Sequence, residues 1–131
     1  MRITEVMSSA VEMVSPETDL PTAARLMRQF DIGCLLVGAN GCVAGIVTDR
    51  DMVLRGIAAG NRISDMTVAE VMTRDPMFCM IDDTVVQAAR IMEGSQVRRL
   101  PVLTADRRVA GIVSLGDICT HAPKNLAGEL I

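Results

Sequence analysis

The stretch VAGIV stands at residues 43–47 and again at residues 109–113, each time followed at once by a small hydroxyl residue and, three positions later, by an aspartate. The likeness runs the length of the chain. A shift of 65 positions pairs Val6-Met7 with Val71-Met72, Ala23-Ala24-Arg25 with Ala88-Ala89-Arg90, Met27 with Met92, Leu35 with Leu100 and Val37 with Val102. One extra residue in the second turn region makes the later shift 66, which aligns Thr48 and Asp51 with Ser114 and Asp117. Collinear matches from end to end mark a tandem duplication, so whatever one copy folds into, the chain must build twice.

Each copy carries the same pattern. Leu20, Ala23, Ala24, Met27 and Phe30 recur at helical spacing behind Asp19, with Pro21 suited to a first helical turn. In the second copy Val85, Ala88, Ala89 and Met92 follow Asp83 or Thr84, either of which suits an N-cap. Two short apolar runs come next, 34–37 with 42–47 about Asn40-Gly41, and 100–103 with 108–113, and they read as β-hairpins. Each hairpin leads directly into a second helix, over 49–58 and 115–121, and extended pieces at 11–14 and 77–81 can add a strand. One β-α-β-β-α unit has a sheet face too large for its own helices to cover. The predicted fold is therefore α+β, with two such units packed sheet to sheet about a pseudo-twofold axis. The first unit spans 1–60 and the second 61–131 with a short C-terminal tail, and residues 56–67 form the connection.

Half of the residues are apolar but only two are aromatic, both Phe, so the core is built from Val, Ile, Leu, Ala and the ten Met. A net charge of −3 argues against nucleic acid or an anionic membrane as partner, both of which require a basic face. The uncharged run 33–47 is too short to span a bilayer, and MRITEVMSSAVEM lacks the apolar core of a signal peptide. A cytoplasmic protein is expected. Cys34, Cys42, Cys79 and Cys119 form no C-x-x-C pair; Cys34, Cys42 and Cys79 sit in apolar surroundings, and buried free thiols are expected.

The chemistry lies where each VAGIV strand meets its helix. A helix start offers unpaired N–H groups and the positive end of the helix dipole, which suit a phosphate. Thr48 or Ser114 can cap the helix or hold a phosphate oxygen, and Asp51 or Asp117 can accept both hydroxyls of a ribose. T-x-x-D is also a plain capping pattern. Taken singly it favours the cap; duplicated behind an identical strand, it is more specific.

The whole of residues 1–122 resembles a tandem pair of CBS (cystathionine-β-synthase) domains, a Bateman module, like those of stand-alone bacterial two-CBS proteins. The resemblance is carried by VMS and VMT at the unit starts, TAARLM and QAARIM, VRRLPVL before the second hairpin turn, and the two GIV[TS]-x-x-D ends. It implies a regulatory module that binds AMP, ADP, ATP or S-adenosylmethionine in clefts between its halves, signals by conformational change, and forms a homodimer through the helices after the hairpins. Matched position by position, Asp51 and Asp117 would hold ribose hydroxyls and Thr48 and Ser114 would lie near phosphate or ribose. Residues 97–102, with Val97, Arg98, Arg99 and Pro101, would line the second base pocket, and their counterparts from Ile32 and Gly33 onward would line the first. The first copy departs from the family's Leu-Pro-Val, having Leu35-Leu36-Val37. Arg50 suits a polyphosphate or an ion pair with Asp49 or Asp51, and Arg98-Arg99 suit a phosphate clamp or a solvated surface.

No catalytic or metal-binding set stands out. His121 lacks a partner nucleophile or base by spacing, Cys119 and His121 do not share a helix face, and no glycine-rich phosphate loop occurs. The chain reads as a non-enzymatic sensor acting on a protein target the sequence does not name. The second reading is a ligand-independent dimerisation or adaptor protein, or a thiol-responsive one using Cys34 or Cys42, which flank the first hairpin turn and could face each other across it.

Overall fold

The structure, a computed structural model, describes residues 1–121, so the C-terminal tail expected after the last helix lies outside the described residues. The architecture is α+β, with two small sheets. In the first copy β1 (Met13–Val14) leads into α1 (Leu20–Phe30), then β2 (Cys34–Ala39), β3 (Cys42–Thr48) and α2 (Asp49–Asp51), which continues as a π-helix over Met52–Ile57. After two single 3-10 turns, at Ile63–Asp65 and Val68–Glu70, comes β4 (Thr73–Arg74). The second copy runs β5 (Cys79–Met80), α3 (Val85–Ser95), β6 (Arg99–Leu103), β7 (Val109–Ser114) and α4 (Leu115–His121).

Local chemistry explains most of these boundaries. Asp19 caps α1 by accepting the Thr22 N–H at 2.7 Å, and hydrogen bonds from Thr22 hold its carboxyl below the usual range. Thr84 caps α3 in a reciprocal box with Gln87, leaving Asp83 to accept the Met80 N–H at 2.8 Å. Both helices end on a left-handed residue, Asp31 (φ 52°) and Gln96 (φ 55°). Asn40 and Gly41 both have positive φ (55° and 79°), as a two-residue hairpin turn of the mirror-image type requires. The helix expected over 49–58 is less regular than its pattern suggests. From Met52 its bonds widen to the i→i−5 spacing, the Ala58 N–H reaching Val53 O at 2.7 Å, and buried Gly56 is brought toward Leu20 and Ile63.

The compact units do not follow the duplication boundary at residues 60 and 61. One is Glu12–Pro76; the other is Met1–Val11 together with the chain from Met77 onward. The opening segment of each copy has left its own hairpin and completes the other's. In the first unit Val68 N–H donates to Thr18 O (2.8 Å), Leu20 N–H donates to Met66 O (3.0 Å), and β4 pairs antiparallel with β3, Thr73 opposite Ile46. In the second, Ile3 N–H donates to Asp83 O (3.1 Å) and Val85 N–H to Met1 O (2.9 Å), while Ser8 and Ile112 exchange both backbone bonds at 2.8 and 2.9 Å. The N-terminal segment thus takes the place of a fourth strand beside β7. Burial is the physical reason. Val68, Val71 and Met72 fill the cluster with Leu20, Ala23, Leu35, Val37, Val47 and Met52, and Ile3 and Val6 fill the one with Val85, Ala88, Met92, Leu100, Val102, Val113 and Ile118.

This exchange explains the glycine of VAGIV. A Cβ on Gly111 would stand 2.5 Å from Ser8 O and 3.0 Å from the Met7 sulfur; on Gly45 it would stand 2.7 Å from Thr73 O and 2.8 Å from the Met72 sulfur. Only a residue without a side chain lets the exchanged backbone lie so close. Gly94, in mid α3, has nothing within 4 Å of such a Cβ. Gly111→Ala and Gly45→Ala are therefore expected to lose about 1–3 kcal/mol each in urea unfolding, as overpacked sites do, while Gly94→Ala gains up to about 1 kcal/mol. A neutral Gly111→Ala would show that the N-terminal segment does not dock on β7.

Candidate functional site: two strand–helix junctions

Within each unit the hairpin brings the sequence-predicted residues to one place. In the first unit Cys34 pairs with Thr48 across β2 and β3, and the Asp49 N–H donates to Gly33 O at 3.0 Å. Ile32 and Gly33 therefore lie beside Thr48, Arg50 and Asp51. In the second, Arg99 pairs with Ser114, Pro101 pairs with Ile112, and the Leu115 N–H donates to Arg98 O at 2.8 Å. That gathers Arg98, Arg99 and Pro101 with Ser114 and Asp117. Ile32 and Val97 occupy matching places, each donating its N–H to the methionine five residues back in the preceding helix (Met27 O at 2.9 Å, Met92 O at 3.0 Å). Both keep more than a third of their surface exposed, and Arg50, Arg98 and Arg99 are exposed as well. Pro101 is buried but stands apart from the helix-facing cluster of its strand neighbours Leu100 and Val102.

The two junctions are wired differently. In the first, Thr48 and Asp51 form a reciprocal capping box: the Asp51 N–H donates to Thr48 Oγ1 at 3.1 Å and the Thr48 N–H to Asp51 Oδ2 at 3.0 Å. The Asp49 carboxylate then accepts the remaining N–H of the turn, that of Arg50, at 2.8 Å. In the second, the Asp117 N–H donates to Ser114 Oγ at 3.0 Å, but the half-buried Asp117 carboxylate accepts nothing among the described residues. Leu115, in place of Asp49, offers no oxygen to the Gly116 N–H. Sequence reasoning weighed Thr48 and Asp51 as cap or ligand contact but missed Asp49, and the signal was available in the contrast of TDRD with SLGD. Among the described residues Arg50 pairs with neither Asp49 nor Asp51; the one ion pair, at 3.9 Å, is Arg62 with Asp65.

The cysteines correct an expectation. Cys34 pairs with Thr48 at one end of the hairpin and Cys42 with Ala39 at the other, so they do not face each other across it. Five strand residues separate them from a shared end, roughly 15 Å or more of extended chain, beyond the reach of a disulfide. Nor are all the thiols buried. Cys34 and Cys79 are, whereas Cys42 and Cys119 are exposed. Burial, with the Asp83 charge second, pushes the Cys79 thiol up to about 12.

A family model, the CBS domain, matches residues 3–56 and 68–124. Hypoxic response protein 1 of Mycobacterium tuberculosis is 34% identical over 97% of this chain and 89% of its own length. The CBS domain-containing protein YhcV of Bacillus subtilis is 34% identical over 94% of this chain and 86% of its own. Among solved structures, Hypoxic Response Protein I with two coordinated zinc ions superposes with a TM-score of 0.83 at 33% identity, covering 94% of this chain and all of that one. The CBS domain pair of MJ0100, in complex with 5′-methylthioadenosine and S-adenosyl-L-methionine, gives a TM-score of 0.83 at 25% identity over 92% of this chain and 94% of that one. Among the described residues no three of His, Cys, Asp and Glu converge as a metal site, and no helix is long and apolar enough to cross a membrane.

The thiol pattern has a direct test. A thiol-specific alkylating reagent is expected to modify Cys42 and Cys119 in the native protein, and Cys34 and Cys79 only after denaturation. Because folding raises the Cys79 pKa, its contribution to stability is complete below the unfolded value near 9 and declines as pH rises toward about 12. Rapid native labelling of Cys79 would place it outside the core.

Proposed function

The chain belongs to the CBS-domain family, and we propose that it is a regulatory sensor that binds an adenosine-type ligand (AMP, ADP, ATP or S-adenosylmethionine) at its strand–helix junctions and signals by a change of conformation. The observation that carries this reading is the second junction, where Arg98 and Arg99 adjoin the turn that holds Ser114 and a half-buried Asp117 carboxylate without a partner among the described residues. A carboxylate so placed suits a ribose diol, and the paired arginines suit a phosphate or a carboxylate group. The adenosyl ligands named for the MJ0100 pair support the ligand class. Ser114, Asp117, Val97, Arg98, Arg99 and Pro101 are the proposed contacts in the second copy, with Thr48, Arg50, Asp51, Ile32 and Gly33 as their counterparts in the first.

In this reading the protein catalyses nothing. It acts in the cytoplasm on a protein target, with neither nucleic acid nor membrane as partner. Signalling requires that the ligand bind one conformation more tightly than another. A homodimer fits the π-helix, whose Val53, Leu54 and Ile57 leave 51, 47 and 57% of their surface exposed as one apolar patch. The same patch supports the second reading, a ligand-independent dimerisation or adaptor protein. The thiol-responsive form of that reading loses its geometric basis with the separation of Cys34 from Cys42.

Calorimetric titration with AMP, ATP and S-adenosylmethionine is expected to show saturable binding of one of them. Asp117→Ala is expected to weaken it by about tenfold to over a hundredfold, since a hydrogen bond to a charged group contributes roughly 1.5–3 kcal/mol. Flat titrations for all three ligands would leave the adaptor reading. Ile57→Glu is expected to convert a dimer to monomer in light scattering, with ligand binding retained.

A further inference from the structure

Two carboxylate hydrogen bonds, Thr48 N–H on Asp51 and Arg50 N–H on Asp49, distinguish the first junction from the second among the described residues. Between Thr48 and Asp51 every backbone N–H already has an acceptor from the protein itself: Thr48 N–H on Asp51 Oδ2 (3.0 Å), Asp49 N–H on Gly33 O (3.0 Å), Arg50 N–H on Asp49 Oδ1 (2.8 Å) and Asp51 N–H on Thr48 Oγ1 (3.1 Å). The Asp49 carboxylate lies over Gly33, its Oδ2 only 3.0 Å from where a Cβ on that glycine would stand. The position an incoming anion would occupy is therefore held by an anion belonging to the chain.

The second copy differs at both positions that make this possible. Leu115 replaces Asp49, and Arg98 replaces Gly33. Charge follows the same division. Ile32, Gly33 and the run Thr48-Asp49-Arg50-Asp51 carry two acids and one cation; Val97-Arg98-Arg99 and the run Ser114-Leu115-Gly116-Asp117 carry two cations and one acid. The whole units agree. Glu12–Pro76 holds nine acids against six Lys and Arg, while Met1–Val11 with Met77–Ile131 holds seven of each. A phosphate approaching the first junction meets a like charge and finds no free amide, and both effects disfavour it.

We propose that Asp49 is a specificity-determining residue that closes the first junction to phosphate-bearing ligands, so that this junction takes an uncharged or cationic adenosyl group and the second alone takes a nucleotide. The inference rests on the sensor reading and deepens it. Exposed Arg50 does not reverse the balance, because it is flanked by Asp49 and Asp51.

The test measures how many molecules of AMP and of adenosine bind per chain, by equilibrium dialysis of the 131-residue chain. Expected are one AMP and two adenosine per chain for the wild type, with AMP disfavoured at the first junction by roughly tenfold or more. Asp49→Leu, which copies the second repeat, is expected to admit a second AMP. Asp49→Asn keeps the shape, removes the charge, and is expected to admit a second AMP more weakly, so a misfolded leucine variant would not decide the matter. Two equivalent AMP sites in the wild type, or one AMP in both variants with folding intact, would overturn the role of Asp49 and leave the sensor reading standing. Absence of binding by both AMP and adenosine would overturn this inference, and the sensor reading falls with it if S-adenosylmethionine and ATP also fail to bind.

Discussion

A backbone carbonyl lying against the bare Cα of a glycine, Ser8 on Gly111 and Thr73 on Gly45, is the contact around which each unit is assembled. It lets a strand-like segment from elsewhere in the chain reach the last strand of the hairpin and bring its apolar residues over the core. Ile3 and Val6 on one side, Val68 and Val71 on the other, are then buried to 5% exposure or less. The hairpin, its first helix and the exchanged segment form one cluster in each unit, and the strand–helix junction inherits its position from that cluster. Val47 and Val113, just before the junction residues, are fully buried and fix where the strand ends.

On this duplicated frame the junctions have diverged. Thr48 and Ser114 do the same work, each accepting the N–H of the aspartate three residues on. The difference lies in what stands between them. In the first junction the carboxylates of Asp49 and Asp51 each accept an N–H of the turn, whereas in the second Leu115 stands in place of Asp49 and the Asp117 carboxylate accepts nothing among the described residues. The hydroxyl cap is thus common to T-x-x-D and S-x-x-D, whereas the reciprocal bond to the aspartate carboxylate is formed among the described residues only in the first copy.

Much of this was legible in the sequence because the controlling interactions are local. The Asn40-Gly41 turn, the caps at Asp19 and Thr84 and the helical spacing of α1 and α3 all follow from neighbours within four residues. The duplication itself gave the pairing of junction residues. The segment exchange was not legible. Periodicity places an apolar segment on a surface but does not say which of two nearly identical surfaces, and VMS and VMT fit either hairpin. The register of Cys34 and Cys42 was missed for a related reason, since lying on either side of a turn is not the same as being equidistant from it. The role of Asp49 was missed because an acid in a first turn is ordinary. It acquires meaning only beside Gly33, which the hairpin brings there.

The exchange also sets an order of assembly. Glu12–Pro76 is contiguous and can close as soon as it is synthesised. The other unit needs Ser8 to meet Ile112, 104 positions away, before its sheet is complete. Long-range closure is slow, and until it happens Ile3 and Val6 have no core to enter. A growing chain therefore carries Met1–Val11 without its β7 partner until Ile112 has been made, while β3 already offers an edge of the same sequence. Thr73 and its neighbours must claim that edge first, or the chain closes on the wrong half of itself.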